Sequence, residues 1–161
     1  MDDMSTADIV GDYQEYTLEL FKHGPRKVYV SDIETPFPEG KLIVSVVDLD
    51  GNITHVNKAF IEMSGYQESE LVGQLQSILR HPDMPKAAYS DLWQKMSSGK
   101  KWHGYVKNLR KDGGYYWVYA SIVPNVRNGE VTGYTSVRRK PSRNKVEMHI
   151  ELYKGMKNDE I

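Results

Sequence analysis

Seven consecutive residues, Leu79-Arg80-His81-Pro82-Asp83-Met84-Pro85, place a guanidinium, an imidazole, a carboxylate and two prolines in one turn between hydrophobic segments. Each proline fixes its own φ and drives the residue before it out of the helical region, so His81 and Met84 are held extended while Asp83 can begin a new turn. A loop of this kind presents polar groups in fixed geometry. The same residues also read as punctuation, with Asp83 as an N-cap and Pro85 in the first helical turn. An imidazole beside a carboxylate can accept a proton or anchor its loop by hydrogen bonding, and for His81 the anchoring role is the simpler one.

Other chemistry is sparse. The 161 residues include no cysteine, which excludes disulfides, CxxC zinc or redox sites, thiolate-bound iron-sulfur clusters, c-type haem attachment and a thiol adduct to a cofactor. His55, His103 and His149 show no metal-ligand spacing, although a single histidine such as His103 can ligate a haem iron. No nucleophile with a base and an orienting group emerges, and Ser64-Gly65-Tyr66 is explained by helix termination. The expectation is a protein that is not an enzyme.

The 21 basic and 22 acidic side chains leave a net charge of -1, so there is no electrostatic case for nucleic acid or an anionic membrane. The N-terminus is acidic, lacks an apolar signal core, and no later segment approaches a membrane-crossing run. A soluble, cytoplasmic protein is expected.

The elements that position the loop follow from periodicity and turn chemistry. From Ala7 to Phe21, Ile9, Val10, Tyr13, Tyr16, Leu18 and Phe21 recur near helical spacing, which predicts an N-terminal helix; Gly24 to Gly40, with Pro25, Pro36 and Pro38, reads as an extended connector. Leu42–Val47 and Asn52–Val56 read as a hairpin about Asp48-Leu49-Asp50-Gly51. Asn57 opens a short helix that Gly65 ends, and residues 68–72 make another helical turn. Lys86–Ser97 is an amphipathic helix stopped at Gly99. Three strands follow, Trp102–Leu109, Gly114–Val123 and Val131–Arg138, and Ser142–Met156 has the spacing of a terminal helix. Residues 1–40, 41–140 and 141–161 thus divide into helix and connector, globular core, and C-terminal helix.

This order, two strands, several short helices and three strands, resembles the PAS fold: an α+β architecture with a five-stranded antiparallel sheet and helices inserted between its second and third strands. The turn Asp48-Leu49-Asp50-Gly51-Asn52-Ile53, the run Val56-Asn57-Lys58-Ala59-Phe60, Ser64-Gly65-Tyr66 and Glu70-Leu71-Val72-Gly73 carry the likeness over residues 41–140. Arg80-His81-Pro82-Asp83-Met84-Pro85-Lys86-Ala87-Ala88, Asp91-Leu92-Trp93, Gly99-Lys100-Lys101-Trp102-His103-Gly104, Val106-Lys107-Asn108 and Tyr115-Tyr116-Trp117-Val118 are similar to the sensory domain of bacterial aerotaxis receptors. That family binds FAD noncovalently, reads its redox state and signals to a HAMP and chemoreceptor module.

The resemblance implies that Asn57, Arg80, His81, Asp83 and Trp102 hold the flavin. A guanidinium at Arg80 can grip a phosphate or carbonyl, the Asn57 amide can pair with a polar ring edge, and Trp102 offers a face for stacking. Each has a plainer role: Asn57 as an N-cap, Arg80 and Asp83 as a local ion pair, and Trp93, Trp117, Tyr116 and Phe60 as packing. Gln76-Ser77-Ile78 and Lys58 depart from the family pattern beside the site. No HAMP or signalling segment follows Met156, so the chain is expected to act as a piece of a longer receptor or with a separate receptor partner. A homodimer through the terminal helices or the sheet face is also expected. A haem or small-ligand PAS sensor and a cofactor-free interaction module are the alternatives.

Overall fold

A computed structural model describes residues 1–160. In chain order the elements are β1 (Gln14–Leu20), β2 (Gly24–Val30), β3 (Ile43–Asp48), β4 (Ile53–Val56), α1 (Lys58–Ser64), α2 (Glu68–Leu71), α3 (Lys86–Ser97), β5 (Trp102–Leu109), β6 (Tyr115–Arg127), β7 (Glu130–Arg139) and α4 (Arg143–Asn158), with single 3-10 turns at Thr6–Asp8 and Gln76–Leu79. Strands β3 to β7 form one five-stranded sheet in the spatial order β4-β3-β7-β6-β5, every neighbouring pair antiparallel. The chain crosses the sheet between β4 and β5, and α1, α2 and α3 lie in that crossing.

Local chemistry sets the element ends. At the β3–β4 turn one Asp48 carboxylate oxygen accepts from the Asp50 and Asn52 amides, both at 2.9 Å, while Gly51 takes φ +90°, a conformation that favours glycine. These hydrogen bonds hold the Asp48 carboxyl below its ordinary pKa. Asn57 caps α1, its Oδ1 accepting from the Phe60 amide at 3.0 Å, and Gly65 closes the helix in the left-handed conformation. Both α3 and β5 have the bounds predicted from periodicity, while β6 and β7 run longer than predicted.

The N-terminal segment departs from its predicted helix. Residues 14–30 form a hairpin in which Gln14 pairs with Val30 and Leu20 with Gly24. Two physical facts override the helical spacing. Tyr16, Leu18 and Leu20 also satisfy a period of two, and the stretch taken for a connector supplies the β-forming partners Val28, Tyr29 and Val30. Pro25 is tolerated because it opens the return strand at the free edge of a two-stranded ribbon. The hairpin is pinned by buried Arg26, whose guanidinium donates to the carbonyls of Asp2 and Ile78, both at 2.9 Å, and to the Tyr66 hydroxyl at 3.2 Å. Its apolar side, with Val28, joins Met4 and Leu109 in a small core.

The main core lies between the sheet and helices α1 to α3, with Phe60, Leu71, Leu79, Tyr116 and Val118 at its centre. Helix α4 uses the opposite face of β5 and β6. There Val146 and Tyr153 pack with Trp117 and Met84, the Trp117 and Tyr153 rings stack at 6.2 Å, and the Tyr153 hydroxyl donates to the Tyr105 carbonyl at 2.6 Å. The sheet face expected to serve a homodimer is therefore occupied in part by the chain's own α4.

Candidate functional site

Strand alternation builds the floor of a cavity. Because side chains reverse face at every residue, the register places Trp102, Ile122, Ser136 and Ser45 in one row across β5, β6, β7 and β3, Ala120 beside Arg138 in the next, and Asn108 beside Tyr116 further along. The Gln76–Arg80 stretch and α3, through Tyr89, Leu92, Trp93 and Met96, form the facing wall. Between them is a cavity of about 660 Å³. This is within the range of about 300–1,000 Å³ common for small-molecule and cofactor sites.

The walls are mainly apolar, so their polar exceptions define the chemistry. Arg138 is only 5% exposed, yet its guanidinium makes a single side-chain hydrogen bond, to Ser45 Oγ at 3.1 Å, and Ser45 in turn donates to Gln76 Oε1 at 3.3 Å. Burial pulls the Arg138 pKa down to about 10. The Ser77 and Ser136 hydroxyls and Asn108 Nδ2, all lining the same space, have no hydrogen-bond partner. Neither Arg80 nor Arg138 has a carboxylate within 4 Å among the described residues. The interior therefore offers donors and positive charge without a matching acceptor, and buried groups left so are costly.

Of the five residues carried over from the resemblance, two line this cavity: Arg80 and Trp102. The Arg80 guanidinium lies over the Tyr89 ring, 4.3 Å from its centroid, and is not paired with Asp83. Trp102 is buried and donates its indole N–H to Asp91 Oδ2 of α3 at 2.9 Å. A Cβ on Gly104 would overlap that indole, so the glycine lets Trp102 lie across the sheet and tie α3 to the floor.

The other three lie outside it. The Asn57 amide is engaged by three backbone groups, its oxygen accepting from the Phe60 and Val44 amides and its nitrogen donating to the Leu42 carbonyl. His81 and Asp83 line a separate cleft of about 380 Å³ under the N-terminal hairpin. There His81 Nδ1 accepts from the Asp83 amide at 3.0 Å, which leaves the ring proton on Nε2. Burial, followed by the neighbouring Lys107 charge, depresses the His81 pKa to about 3, so the ring is neutral at ordinary pH. Asp83 pairs with Lys107 at 2.8 Å. His81 is thus the loop anchor that its sequence context favoured.

Sequence reasoning missed Ser45, Ser136 and above all Arg138; it marked Gln76 and Ser77 only as departures beside the site and Asn108 only as part of a motif. The signal available was the alternation Tyr134-Ser136-Arg138, which puts the arginine on the tyrosine's face. His103 is on the outer face, stacked on Tyr119 at 6.2 Å with its Nδ1 2.9 Å from Ser121 Oγ. No histidine lines the cavity among the described residues. No group of three or more His, Asp or Glu side chains suited to a metal occurs among them either.

A five-stranded antiparallel sheet with helices inserted after its second strand, enclosing a cofactor-sized cavity, is a PAS architecture. The family described as the PAS fold matches residues 53–138, over half of the chain, and the chain belongs to it. Over 128 residues the sequence is 43% identical to the aerotaxis receptor of Escherichia coli (strain K12), a match covering 80% of this chain and 25% of the receptor. Over 106 residues it is 30% identical to the nitrogen fixation regulatory protein of Klebsiella pneumoniae, covering 65% of this chain and 21% of that protein. The chain thus spans about a quarter or less of the length of these relatives. Among solved structures, a light-oxygen-voltage domain from work with a flavin analogue aligns with a TM-score of 0.60 at 22% identity, covering 71% of this chain and 86% of that one. A PAS domain of a protein from Colwellia psychrerythraea aligns with a TM-score of 0.53 at 26% identity, covering 63% and 87%. No helix among the described residues is long and apolar enough to cross a membrane.

Proposed function

We propose that this chain is a sensory PAS unit that binds FAD noncovalently and reports redox, oxygen or energy state to an aerotaxis-type signalling partner. The observation that carries the reading is the cavity lining, apolar except for Arg138, Ser136 and Asn108 on the sheet floor and Ser77 on the facing wall, where Ser136, Asn108 and Ser77 lack partners and Arg138 donates only to Ser45. An isoalloxazine fits that pattern: a flat apolar body with one edge rich in carbonyl and imine acceptors. The flavin supplies electron acceptance and release, and so a change of charge at that edge. Arg138 and Ser136 hold the edge in place, Trp102 and the α3 side chains exclude water, and Arg80 meets an anionic group. The similarity to the aerotaxis receptor and to the light-oxygen-voltage fold supports the same reading.

The cavity also weighs against a cofactor-free interaction module, whose interior would be filled by its own side chains, and the position of His103 gives no support to a haem ligated there. Signalling runs through the sheet. Along β6, Tyr116, Val118 and Ala120 face inward while Trp117 and Tyr119 face the other side, where Trp117 meets α4, so a floor that shifts with ligand charge moves the seat of that helix. A chemoreceptor HAMP and signalling module, in cis or in trans, is the proposed receiver, and a homodimer through α4 or the sheet face the proposed assembly. Purified protein, or apoprotein titrated with FAD, should show flavin absorbance at one equivalent per chain and release FAD on denaturation. A folded protein that stays colourless after reconstitution refutes the proposal, and a Soret band would replace FAD with haem.

A further inference from the structure

The tip of the N-terminal hairpin, Leu20-Phe21-Lys22, lines the rim of the cavity opposite Asp50 and Gly51, although it lies outside the residues matched by the PAS family. It is held there by the buried Arg26 hydrogen bonds to the Ile78 carbonyl and the Tyr66 hydroxyl. Phe21 is 78% exposed, a large apolar ring at the mouth of a cavity, and the Lys22 ammonium lies 5.8 Å from its centroid. Lys22 pairs only with Asp50, at 3.2 Å, both side chains being well exposed, an arrangement that holds little free energy and leaves the ammonium available. The rim carries two further cations, Arg80 and Lys86, neither paired with a carboxylate side chain within 4 Å among the described residues. Glu19 and Asp50 are the acidic groups there.

We infer that this hairpin tip is a second ligand subsite, which takes the aromatic and phosphate-bearing tail of a dinucleotide: Phe21 offers a face to a purine, and Lys22 with Lys86 and Arg80 meets the pyrophosphate. The inference rests on the flavin reading and deepens it, because it adds Phe21 and Lys22, outside the matched PAS residues, to Arg80 and Lys86 in selecting between FAD and smaller flavins. An exposed aromatic beside cations is the chemistry by which bases and phosphates are gripped without sequence-specific contacts. The hairpin root supplies rigidity and the tip supplies selectivity.

The test is titration of flavin-free full chain with FAD, FMN and riboflavin, read by quenching of flavin fluorescence. Phe21→Ala should weaken FAD about tenfold and leave riboflavin unchanged. Lys22→Asn, chosen because position 22 has φ 65° and asparagine tolerates the left-handed region, should weaken FAD and FMN but not riboflavin. Both substitutions are at an exposed tip, and circular dichroism checks that the fold is retained. Unchanged FAD-to-riboflavin ratios in both variants overturn the subsite while leaving the flavin reading intact. Wild-type protein that binds none of the three overturns both.

Discussion

Replacing Arg138 by methionine should make the empty protein more stable and the flavin-loaded protein less so. The guanidinium is buried with one side-chain hydrogen bond, to Ser45, and burial lowers its pKa to about 10. At about 1.4 kcal/mol per tenfold change in proton affinity, that depression corresponds to roughly 3 kcal/mol of cost for keeping the charge in the folded state. The sign follows from linkage: between pH 10 and the ordinary guanidinium value the unfolded chain binds the proton and the folded chain does not, so stability rises with pH there. Below pH 10 the full cost is present. A methionine keeps an apolar stem but ends short of the guanidinium, which lies 5.3 Å from the Phe60 ring centroid; it removes the charge and leaves Ser45 still donating to Gln76.

Allowing for imperfect packing, the flavin-free variant should gain about 1–3 kcal/mol, or roughly 2–10 °C in melting temperature for a chain of this size. A hydrogen bond from a charged donor is worth about 1.5–3 kcal/mol, so the same substitution should weaken flavin binding by roughly tenfold or more. Thermal and urea unfolding of flavin-stripped proteins, with flavin titration of each, measures both quantities. A variant that melts at or below wild type and retains wild-type flavin affinity would refute the idea that Arg138 is a buried charge held for a ligand.

Asn57→Ala should cost about 2–3 kcal/mol in urea unfolding, from loss of the α1 cap and the orphaned Val44 amide, with flavin affinity per folded molecule unchanged. His81, neutral down to a pKa of about 3, adds stability that is lost as pH falls from about 6.5 toward 3, because only the unfolded chain takes up its proton in that window. The slope of stability against pH between about 4 and 6 should therefore fall by close to one proton in His81→Gln, while flavin binding by wild type stays flat through His81's ordinary titration range. Tyr153→Phe, which removes the 2.6 Å hydrogen bond to the Tyr105 carbonyl, should loosen α4 by about 1 kcal/mol, seen as faster amide exchange confined to residues 143–158.

The sheet and its helices were legible because their boundaries rest on local chemistry. Asp48 and Gly51 make the first turn, Asn57 and Gly65 bracket α1, and Gly99 ends the long helix that β5 follows, so the order of elements could be read without knowing what packs where. The N-terminal hairpin could not be read in this way. Ile9, Val10, Tyr13 and Tyr16 suit a helix, and only the distant partner strand, disguised by Pro25, selects the extended form. The site divides likewise. Arg80 and Trp102 stand out as unusual residues at element ends, whereas Arg138 sits in Val137-Arg138-Arg139-Lys140, which reads as the solvated end of a strand until β3 and β6 are placed on either side of it. Asn57, the most suggestive amide in the sequence, proves to be held by three backbone groups.

The polar groups of the cavity bear on the proposed sensing. Arg138, Ser136 and Asn108 on the floor and Ser77 on the facing wall would stay buried without acceptors if the walls closed together, so collapse of the cavity would bring no relief of their cost. A ligand that accepts from these groups binds the folded state alone and adds RT ln(1 + [L]/Kd), about 2.7 kcal/mol at a hundredfold excess over its Kd. On the proposed flavin reading the ligand's charge would enter directly, because a more electron-rich acceptor edge would strengthen hydrogen bonds accepted from Arg138. Arg138 itself is linked to β3 through Ser45 and to the 3-10 turn through Gln76, and that turn leads into Arg80 and the loop held by His81. The residue most costly to the empty fold is therefore placed to couple the electronic state of the ligand to the backbone around it.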